Sequence, residues 1–224
     1  MLNNKLAYMI GIFQSDGYYT VFNDKKRNKV QCRFGVDCKI GSLPMLLEFQ
    51  KIFNESFNRK VSIQKNKVGV FSFRTTINSL LLLFKELEIL PKRYSAPTWI
   101  QNVELFGAYL AGLIDGDGSV CIKRPKYPQC RIRITDEFSQ EYLRSFIRKM
   151  FGCSVNITPV KKTATLNGKK IYGEAFDLDF YVSKKNIQII KRCVYPFIQI
   201  GHKKDTIGRF LGLKKGSLNP RDPT

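Results

Sequence analysis

Hydrophobic and polar positions along the chain follow two different periods. Some segments repeat apolar residues at helical spacing, and others alternate polar and apolar residues as a half-buried strand does. In the first half these patterns predict, in chain order, a helix over 4–14, strands over 18–23 and 30–38, a helix over 43–57, a hairpin over 60–75 and a helix over 77–88. The first half is therefore predicted to have the order αββαββα.

The second half of the chain shows the same order of patterns. They predict a helix over 105–115, strands over 118–124 and 129–136, a helix over 138–151, strands over 154–162 and 174–182, and a helix over 184–197. The prediction is an α+β protein built from two similar αββαββα units. We expect the first unit over 1–90, a linker over 91–104, and the second unit with a C-terminal extension over 105–224.

The duplication is also visible in the residues themselves. Residues 6–17 read LAYMIGIFQSDG and align without a gap with residues 107–118, which read GAYLAGLIDGDG. The shared letters are an alanine, a tyrosine, a glycine and the final Asp-Gly pair. A repeat with this spacing, close to half the chain, predicts pseudo-twofold symmetry.

Small residues lie on one face of each of these two helices, four positions apart. They are Ala7, Gly11 and Ser15 in the first helix and Ala108, Gly112 and Gly116 in the second. Glycine inside a helix costs about 1 kcal/mol relative to alanine, so its presence in both copies indicates a packing reason. We predict that the two helices pack against each other with their backbones close together. A chance group of small core residues is the alternative, which the duplication disfavours.

Each small-residue face ends in an Asp-Gly pair. Asp16 and Asp117 are thus predicted at two adjoining helix C-termini, where the helix dipoles are negative. Two carboxylates there are unfavourable unless a cation joins them, and oxygen ligands select a hard ion such as Mg²⁺. The pair points to phosphodiester chemistry. Alternatively, both aspartates are ordinary turn residues, since Asp-Gly is a common turn pair.

The charge of the chain indicates an anionic partner. Its 224 residues include 38 lysines and arginines against 18 acidic residues, for a net charge of +20. The charge divides into +9 for residues 1–100 and +11 for residues 101–224. Nucleic acid is the leading candidate, while the ribosome and a membrane surface also attract basic chains. An aromatic content of 12% argues against a disordered tail.

Other features of the composition exclude several classes of protein. No apolar run reaches the ~18 residues that a membrane span requires. The six cysteines form no CxxC pair, so the sequence indicates neither a zinc knuckle nor a redox motif. Because the chain has a single histidine, we do not expect a metal site built from histidines. The amino-terminal residues follow a helical pattern rather than that of a signal peptide, so we expect an intracellular protein.

Residues 110–118 carry a known signature. They read LAGLIDGDG and differ from the LAGLIDADG motif at one position, while MIGIFQSDG at 9–17 is a degenerate copy. The chain resembles a single-chain, two-repeat LAGLIDADG homing endonuclease of the intron-encoded type. The resemblance implies two four-stranded antiparallel, saddle-shaped sheets joined at the packed motif helices. It also implies a monomeric, site-specific endonuclease that cuts both strands of a long, asymmetric DNA target, with no obligatory protein partner.

The resemblance also assigns a role to the acids of the two motifs. The final acid of each motif, Asp16 and Asp117, would bind the divalent metal and contribute to cleavage, with Ser15 and Gly116 beside them in the metal site. Mg²⁺ would be the cofactor, Mn²⁺ could substitute, and Ca²⁺ would support binding without cleavage. Asp115, the earlier acid, has Gln14 as its counterpart and is expected to be structural.

Further residues near the site follow from the same resemblance. The family often has glutamine or asparagine near the end of the second strand of each repeat, where this chain has Cys38 and Asp136. This departure predicts unequal cutting of the two strands. A small packing residue is an equally good interpretation of Cys38. Lys92 and Lys203 match a catalytic basic residue of the family, and phosphate anchoring is an equally good interpretation of both.

The strands would form the surface that reads DNA, and their alternation predicts which side chains face it. The predicted DNA contacts are Lys25, Arg27, Gln31, Arg33, Lys39, Gln64, Arg74, Lys123, Arg124, Arg131, Arg133, Asn156, Lys161 and Lys162. The lysines and arginine at the hairpin tips are expected on phosphates, and the strand arginines on guanine edges or phosphates. A solvated strand face is the alternative for each of them.

Two other classes of function remain open at this point. A nucleic-acid-binding protein without cleavage, such as an intron maturase or a DNA-binding regulator, would not require both Asp16 and Asp117. An RNA-modifying or ribosomal protein would explain the charge but not the duplicated Asp-Gly helices. We expect the protein in the compartment of its encoding genome: a chloroplast, a mitochondrion or the cytoplasm of a prokaryote.

Overall fold

The computed structural model describes residues 2–25, 28–89, 94–123, 127–166 and 169–213, which form two α+β units. The elements of the first unit are α1 (Asn4–Asp16), β1 (Gly17–Asp24), β2 (Lys29–Cys38), α2 (Leu43–Phe57), β3 (Ile63–Lys65), β4 (Phe71–Thr76) and α3 (Leu81–Glu86). Those of the second are α4 (Val103–Gly116), β5 (Gly118–Lys123), β6 (Gln129–Asp136), α5 (Glu141–Phe151), β7 (Val155–Leu166), β8 (Lys169–Val182), α6 (Ile187–Ile189) and α7 (Gly201–Phe210).

The two units have the same sheet topology. Each contains a four-stranded antiparallel sheet, with strand order β1-β2-β4-β3 in the first and β5-β6-β8-β7 in the second. In both sheets the second strand lies between the first and the fourth, and the helices pack on one face. The predicted α+β duplication is confirmed.

The two motif helices begin in the same way and occupy the centre of the protein. Asn3 caps α1 by accepting a hydrogen bond from the amide of Leu6, and Asn102 caps α4 by accepting one from Leu105. Both helices are buried around much of their circumference. Nearly all the buried apolar side chains join in one core that includes both helices and the inner faces of both sheets.

Several elements differ from the sequence prediction. The β7–β8 hairpin is longer than predicted, because the pairing continues to Leu166 and Lys169 in a segment whose lysines, asparagine and glycine favour a loop. The predicted helix over 184–197 is irregular: α6 continues as a π-helical segment (Ile190–Val194) and a 3₁₀ turn (Tyr195–Phe197) that contains Pro196.

Two more differences affect the helices that follow each sheet. The predicted helix over 77–88 consists of a 3₁₀ turn and the short α3. Helix α7 lies in the segment that the sequence pattern left as an extension. No helix among the described residues is long and apolar enough to cross a membrane.

Candidate active site and nucleic-acid interface

Helices α1 and α4 contact each other backbone to backbone through a pair of glycines. A Cβ atom added to Gly11 would lie 2.2 Å from the carbonyl oxygen of Tyr109, and one added to Gly112 would lie 2.2 Å from that of Tyr8. Ala7 and Ala108, on the same small-residue faces of the two helices, are fully buried. The small residues therefore allow an approach that no larger side chain at the two glycines would permit.

The two tyrosines at this contact make crossed hydrogen bonds between the repeats. The Tyr8 hydroxyl donates to Asp115 at 2.7 Å, and the Tyr109 hydroxyl donates to Gln14 at 2.7 Å. All four side chains are buried. Burial raises the pKa of both phenols well above its ordinary value, so each keeps the proton that it donates.

Asp115 lies inside the protein and serves as an acceptor. Besides Tyr8, the backbone amides of Gln199 and Ile200 donate to its carboxylate at 2.7 and 3.2 Å. Burial raises its pKa, and the three donors oppose the rise. These contacts tie α4 to the segment before α7 and support the structural role expected for this acid.

Gln14 makes the corresponding contacts in the first repeat. Its side-chain amide donates to the carbonyl of Ser95 at 3.0 Å and accepts from the Ser95 amide at 3.2 Å. Asp115 and Gln14 are thus related by the pseudo-twofold symmetry, and each holds the segment that follows its own repeat. The neutral amide of Gln14 suits its partner, because Ser95 supplies both a donor and an acceptor. Asp115 receives hydrogen bonds only from donors.

The two final acids of the motifs lie at the adjoining C-terminal ends of the helices. Asp16 is the last residue of α1, and Asp117 directly follows α4. A Cβ atom added to Gly116 would lie 3.3 Å from an Asp16 carboxylate oxygen and 1.9 Å from the Ser15 hydroxyl oxygen. The carboxylate of the first repeat therefore reaches the end of the other repeat's helix, as the close packing predicts.

Tyr94 contacts Asp117, one of the two motif acids. No pattern in the sequence predicts this contact. Its hydroxyl donates to Asp117 at 2.5 Å, and the ring is buried. Burial and the charge of Asp117 raise the pKa of the phenol, so the hydroxyl remains a donor. The residue lies in a segment whose prolines indicated only a linker, and nothing in its spacing predicts this contact.

Cys38 and Asp136, at the ends of β2 and β6, each lie beside one of the two acids. Burial raises the pKa of the Cys38 thiol to about 11, with a further contribution from the charge of Asp16. Burial likewise raises the pKa of Asp136, and the charge of Asp117 adds to the rise. Both residues therefore lie near the motif acids, at the strand ends where the resemblance puts a glutamine or asparagine.

The Cys38 thiol gives a test of this burial through pH. Its ordinary pKa is 9.0, so above that pH the unfolded chain releases the proton while the folded protein retains it up to about 11. We expect the free energy of unfolding to fall over this interval, and to fall less in Cys38→Ala. Denaturant titrations at several pH values measure the difference, and parallel curves for the two proteins would contradict it.

Lys203 lies beneath the C-terminal end of α4. Its ammonium group donates to the carbonyl oxygens of Ile114 at 2.7 Å and Asp115 at 2.8 Å, and the side chain is buried. Burial lowers its pKa, against the opposing charges of Asp115, Asp16 and Asp117. The positive charge therefore lies at the negative end of the helix and close to both acids. Lys92 lies outside the described residues.

The donors at the helix ends suit a hard divalent ion. Asp16 and Asp117 supply carboxylate oxygens, whereas the Ser15 hydroxyl donates to the carbonyls of Gly11 and Ile12 at 3.0 Å. Among the described residues no three His, Cys, Asp or Glu side chains form a metal-binding group. A Mg²⁺ ion, which usually keeps several waters and takes one or two carboxylates, fits this set.

In the first sheet the predicted DNA contacts lie on one face. Arg33 is exposed on β2 and stacks over the ring of Phe22 at 5.1 Å, while Phe34 beside it is buried. Arg74 lies on the same face and pairs with Asp37 at 2.7 Å. Lys25, Lys39 and Gln64 are exposed, and Gln31 donates to Asp24. Arg27 lies outside the described residues.

In the second sheet the central arginines are paired with acids on the next strand. Arg133 donates to both carboxylate oxygens of Asp179 at 2.8 and 2.7 Å, and Arg131 lies 3.7 Å from the same carboxylate. Asp179 and Asp177 are not among the predicted site residues, although the alternation of β8 gives them the same face. Lys123, Asn156, Lys161 and Lys162 are exposed, and Arg124 lies outside the described residues.

Comparison with known proteins was made for sequence and structure. No family model matches the chain. The intron-encoded RNA maturase bI4 of Saccharomyces cerevisiae is 34% identical over 118 residues, which cover 48% of this chain and 18% of the maturase. The match therefore spans about a fifth of the length of that relative.

Solved structures give a more extensive match. The homing endonuclease I-DmoI has a TM-score of 0.58 at 18% identity, covering 85% of this chain and 95% of I-DmoI. The LAGLIDADG homing endonuclease I-GzeII, solved with a DNA target, has a TM-score of 0.55 at 14% identity, covering 95% and 91%. I-LtrWI, solved with its target DNA, has a TM-score of 0.52 at 14% identity, covering 94% and 90%.

These matches cover 85% to 95% of this chain, so they extend over both repeats. The resemblance seen in the sequence is confirmed at the level of the fold: this chain has the fold of the LAGLIDADG homing endonucleases.

Proposed function

We propose that the protein is a site-specific endonuclease that hydrolyses both strands of a long, asymmetric DNA target. The observation that carries this proposal is the pair Asp16 and Asp117 at the ends of two helices held together by Gly11 and Gly112. Binding alone does not require two carboxylates at the centre of a protein with a charge of +20. The resemblance in fold to enzymes solved with their target DNA supports the same conclusion.

The chemistry assigned to the site uses the oxygen donors at the helix ends. Asp16 and Asp117 would hold Mg²⁺, and Mn²⁺ could replace it. When bound, such an ion lowers the pKa of a bound water and stabilises charge on the leaving oxygen. Tyr94 keeps the Asp117 carboxylate in place through its hydrogen bond. Lys203 offsets the negative end of α4 and the charge of the two acids.

The two halves of the site differ, which supports unequal cutting of the two strands. Cys38 lies beside Asp16, whereas the acidic Asp136 lies beside Asp117. The face of each sheet also carries its own set of side chains, so the two half-sites would have different sequences. We propose that the protein acts as a monomer, with its two repeats taking the place of two subunits.

An RNA maturase is the second candidate, and one observation favours it. The 34% identity over 118 residues is to a protein named as an intron-encoded RNA maturase. That match covers 18% of the maturase, so the similarity is limited to one segment of that protein. Retention of Asp16 and Asp117 favours cleavage, since RNA binding does not need them.

The proposal is tested by selection from a randomised duplex library. The protein is incubated with the library and Mg²⁺, and products cut on both strands are sequenced, with Ca²⁺ as the binding-only control. We expect one family of asymmetric sequences to be cut with Mg²⁺ and only bound with Ca²⁺. Binding without cutting in either ion would reject the endonuclease, and tighter binding to intron RNA than to any duplex would favour the maturase.

Binding to the selected target should depend steeply on salt. Each phosphate contact releases counterions, so the logarithm of the association constant falls with the logarithm of salt concentration by about 0.9 per contact. With the exposed lysines on both sheets, we expect a slope that corresponds to about six or more contacts. Fluorescence anisotropy with Ca²⁺ held constant measures it, and a nearly flat response would contradict the proposed binding surface.

A further inference from the structure

A compact ionic cluster occupies the centre of the second sheet. Its four members are Arg131 and Arg133 on β6 and Asp177 and Asp179 on β8. The strand register places Arg133 opposite Asp179 and Thr135 opposite Asp177, so all these side chains share one face. The cluster lies on the face that carries the predicted DNA contacts.

Arg133 is held from two sides by this cluster. Its Nε and one terminal nitrogen donate to the two oxygens of Asp179 at 2.8 and 2.7 Å, and its other terminal nitrogen forms an ion pair with Asp177. Thr135 donates to the second oxygen of Asp177 at 2.7 Å. The guanidinium therefore has a fixed plane and a fixed direction before any ligand arrives.

The two acids are more buried than the arginine that they hold. The side chain of Arg133 is 28% exposed, against 7% for Asp177 and 13% for Asp179. A ligand on this face would therefore have more access to the guanidinium than to either carboxylate. Each terminal nitrogen of Arg133 carries a second hydrogen that the bonds to the acids do not use.

We propose that Asp177 and Asp179 are positioning residues that fix Arg133 for bidentate recognition of one guanine in the half-site under the second sheet. The inference rests on the proposed DNA-binding function. Guanine presents two acceptors in the major groove, which the fork of an arginine matches. Because the cluster orders the side chain in advance, binding does not have to immobilise a free arginine.

The first sheet lacks this arrangement among its described residues. Arg74 pairs with one acid, Asp37, and its side chain is 49% exposed. Arg33 is exposed and stacks on Phe22 rather than lying over acids. The strand arginines of the first half are held less tightly, and we expect weaker base discrimination there at the corresponding positions.

The charge of the cluster allows a positioning role of the two aspartates to be distinguished from a purely structural one. Two arginines and two aspartates sum to zero, so Asp179→Asn leaves an extra positive charge on the DNA-facing surface. Affinity for non-specific duplex should then stay the same or rise, while preference for guanine falls. General damage to the sheet would lower both affinities together.

The experiment compares wild type, Asp177→Asn, Asp179→Asn and Arg133→Lys with Ca²⁺, so that binding alone is read. The duplexes are the target selected by the wild type and its single-base variants. We expect one position under the second sheet to require guanine in the wild type. All three variants should lose about tenfold or more of that preference, the scale of one bidentate contact. Asp37→Asn adds the same charge on the first sheet and should leave that preference unchanged.

The outcomes separate the inference from the proposed function. If the wild type selects no duplex, the proposed function fails. If it selects a target but Arg133→Lys keeps the full guanine preference, the role of Arg133 is overturned. If Arg133→Lys loses the preference and a folded Asp177→Asn and Asp179→Asn both keep it, the positioning role is overturned. Thermal melts establish which variants are folded, and one folded aspartate variant that keeps the preference overturns the positioning role of that aspartate. If neither aspartate variant folds, Arg133→Lys still decides whether Arg133 reads the guanine.

Discussion

Replacing Asp117 with asparagine should abolish DNA cleavage and leave binding to the target near normal. Asparagine has nearly the same volume and keeps one oxygen that can accept the hydrogen bond of Tyr94. It lacks the charge needed to hold a divalent ion beside Asp16. We expect the rate of cleavage to fall by about a hundredfold to a thousandfold, the scale on which loss of one electrostatic contact to a transition state lowers kcat.

Two measurements are needed for this prediction. Single-turnover cleavage in Mg²⁺ gives the rate, and anisotropy in Ca²⁺ gives the affinity for the same duplex. Glu137→Gln is the matched control, because it removes an exposed negative charge at the end of β6. Normal cleavage by Asp117→Asn would remove the metal assignment, whereas loss of binding together with cleavage would indicate a folding defect.

Replacing Gly112 with alanine should cost about 3 kcal/mol, the upper end of the range for overpacked cores. The added methyl group would lie 2.2 Å from the carbonyl oxygen of Tyr8, and a backbone atom cannot rotate away as a side chain can. The helices would have to separate along the contact. For a protein of this size the melting temperature should fall by about 6–12 °C.

The pseudo-symmetry supplies an internal comparison for this second prediction. Gly11→Ala meets the carbonyl oxygen of Tyr109 at the same 2.2 Å, so its melting temperature should fall by a similar amount. Gly41→Ala is the control, since an added Cβ there meets nothing within 4 Å. A melt of Gly112→Ala equal to that of the wild type would contradict the close packing.

The repeat, its elements and the motif helices could be predicted because each leaves a local pattern. Spacing of four places Gly11 on the small-residue face of α1 and Gly112 on that of α4. Alternation assigns Arg131 and Arg133 to one strand face. Both signals come from residues near each other in the chain. The strand orders then follow from two copies of one pattern and from the family resemblance.

The contacts that were missed join residues far apart in the chain. Tyr94 meets Asp117 across the linker, and Asp179 meets Arg133 through a register that no local pattern fixes. Lys203 was singled out as a catalytic or phosphate-binding residue, but its burial beneath α4 depends on α7, a helix that the periodicity did not indicate. Its role in cleavage stays a prediction, as does that of Lys92.

The crossed tyrosine bonds at the helix contact also show what twofold symmetry requires of the two repeats. Tyr8 donates to the second repeat at Asp115, and Tyr109 donates to the first at Gln14. Two identical copies of either repeat, related by a twofold axis, could make the same pair of bonds with each other. The pair of bonds therefore does not depend on the two repeats differing, and Asp115 and Gln14 are two acceptors that serve the same tyrosine donor.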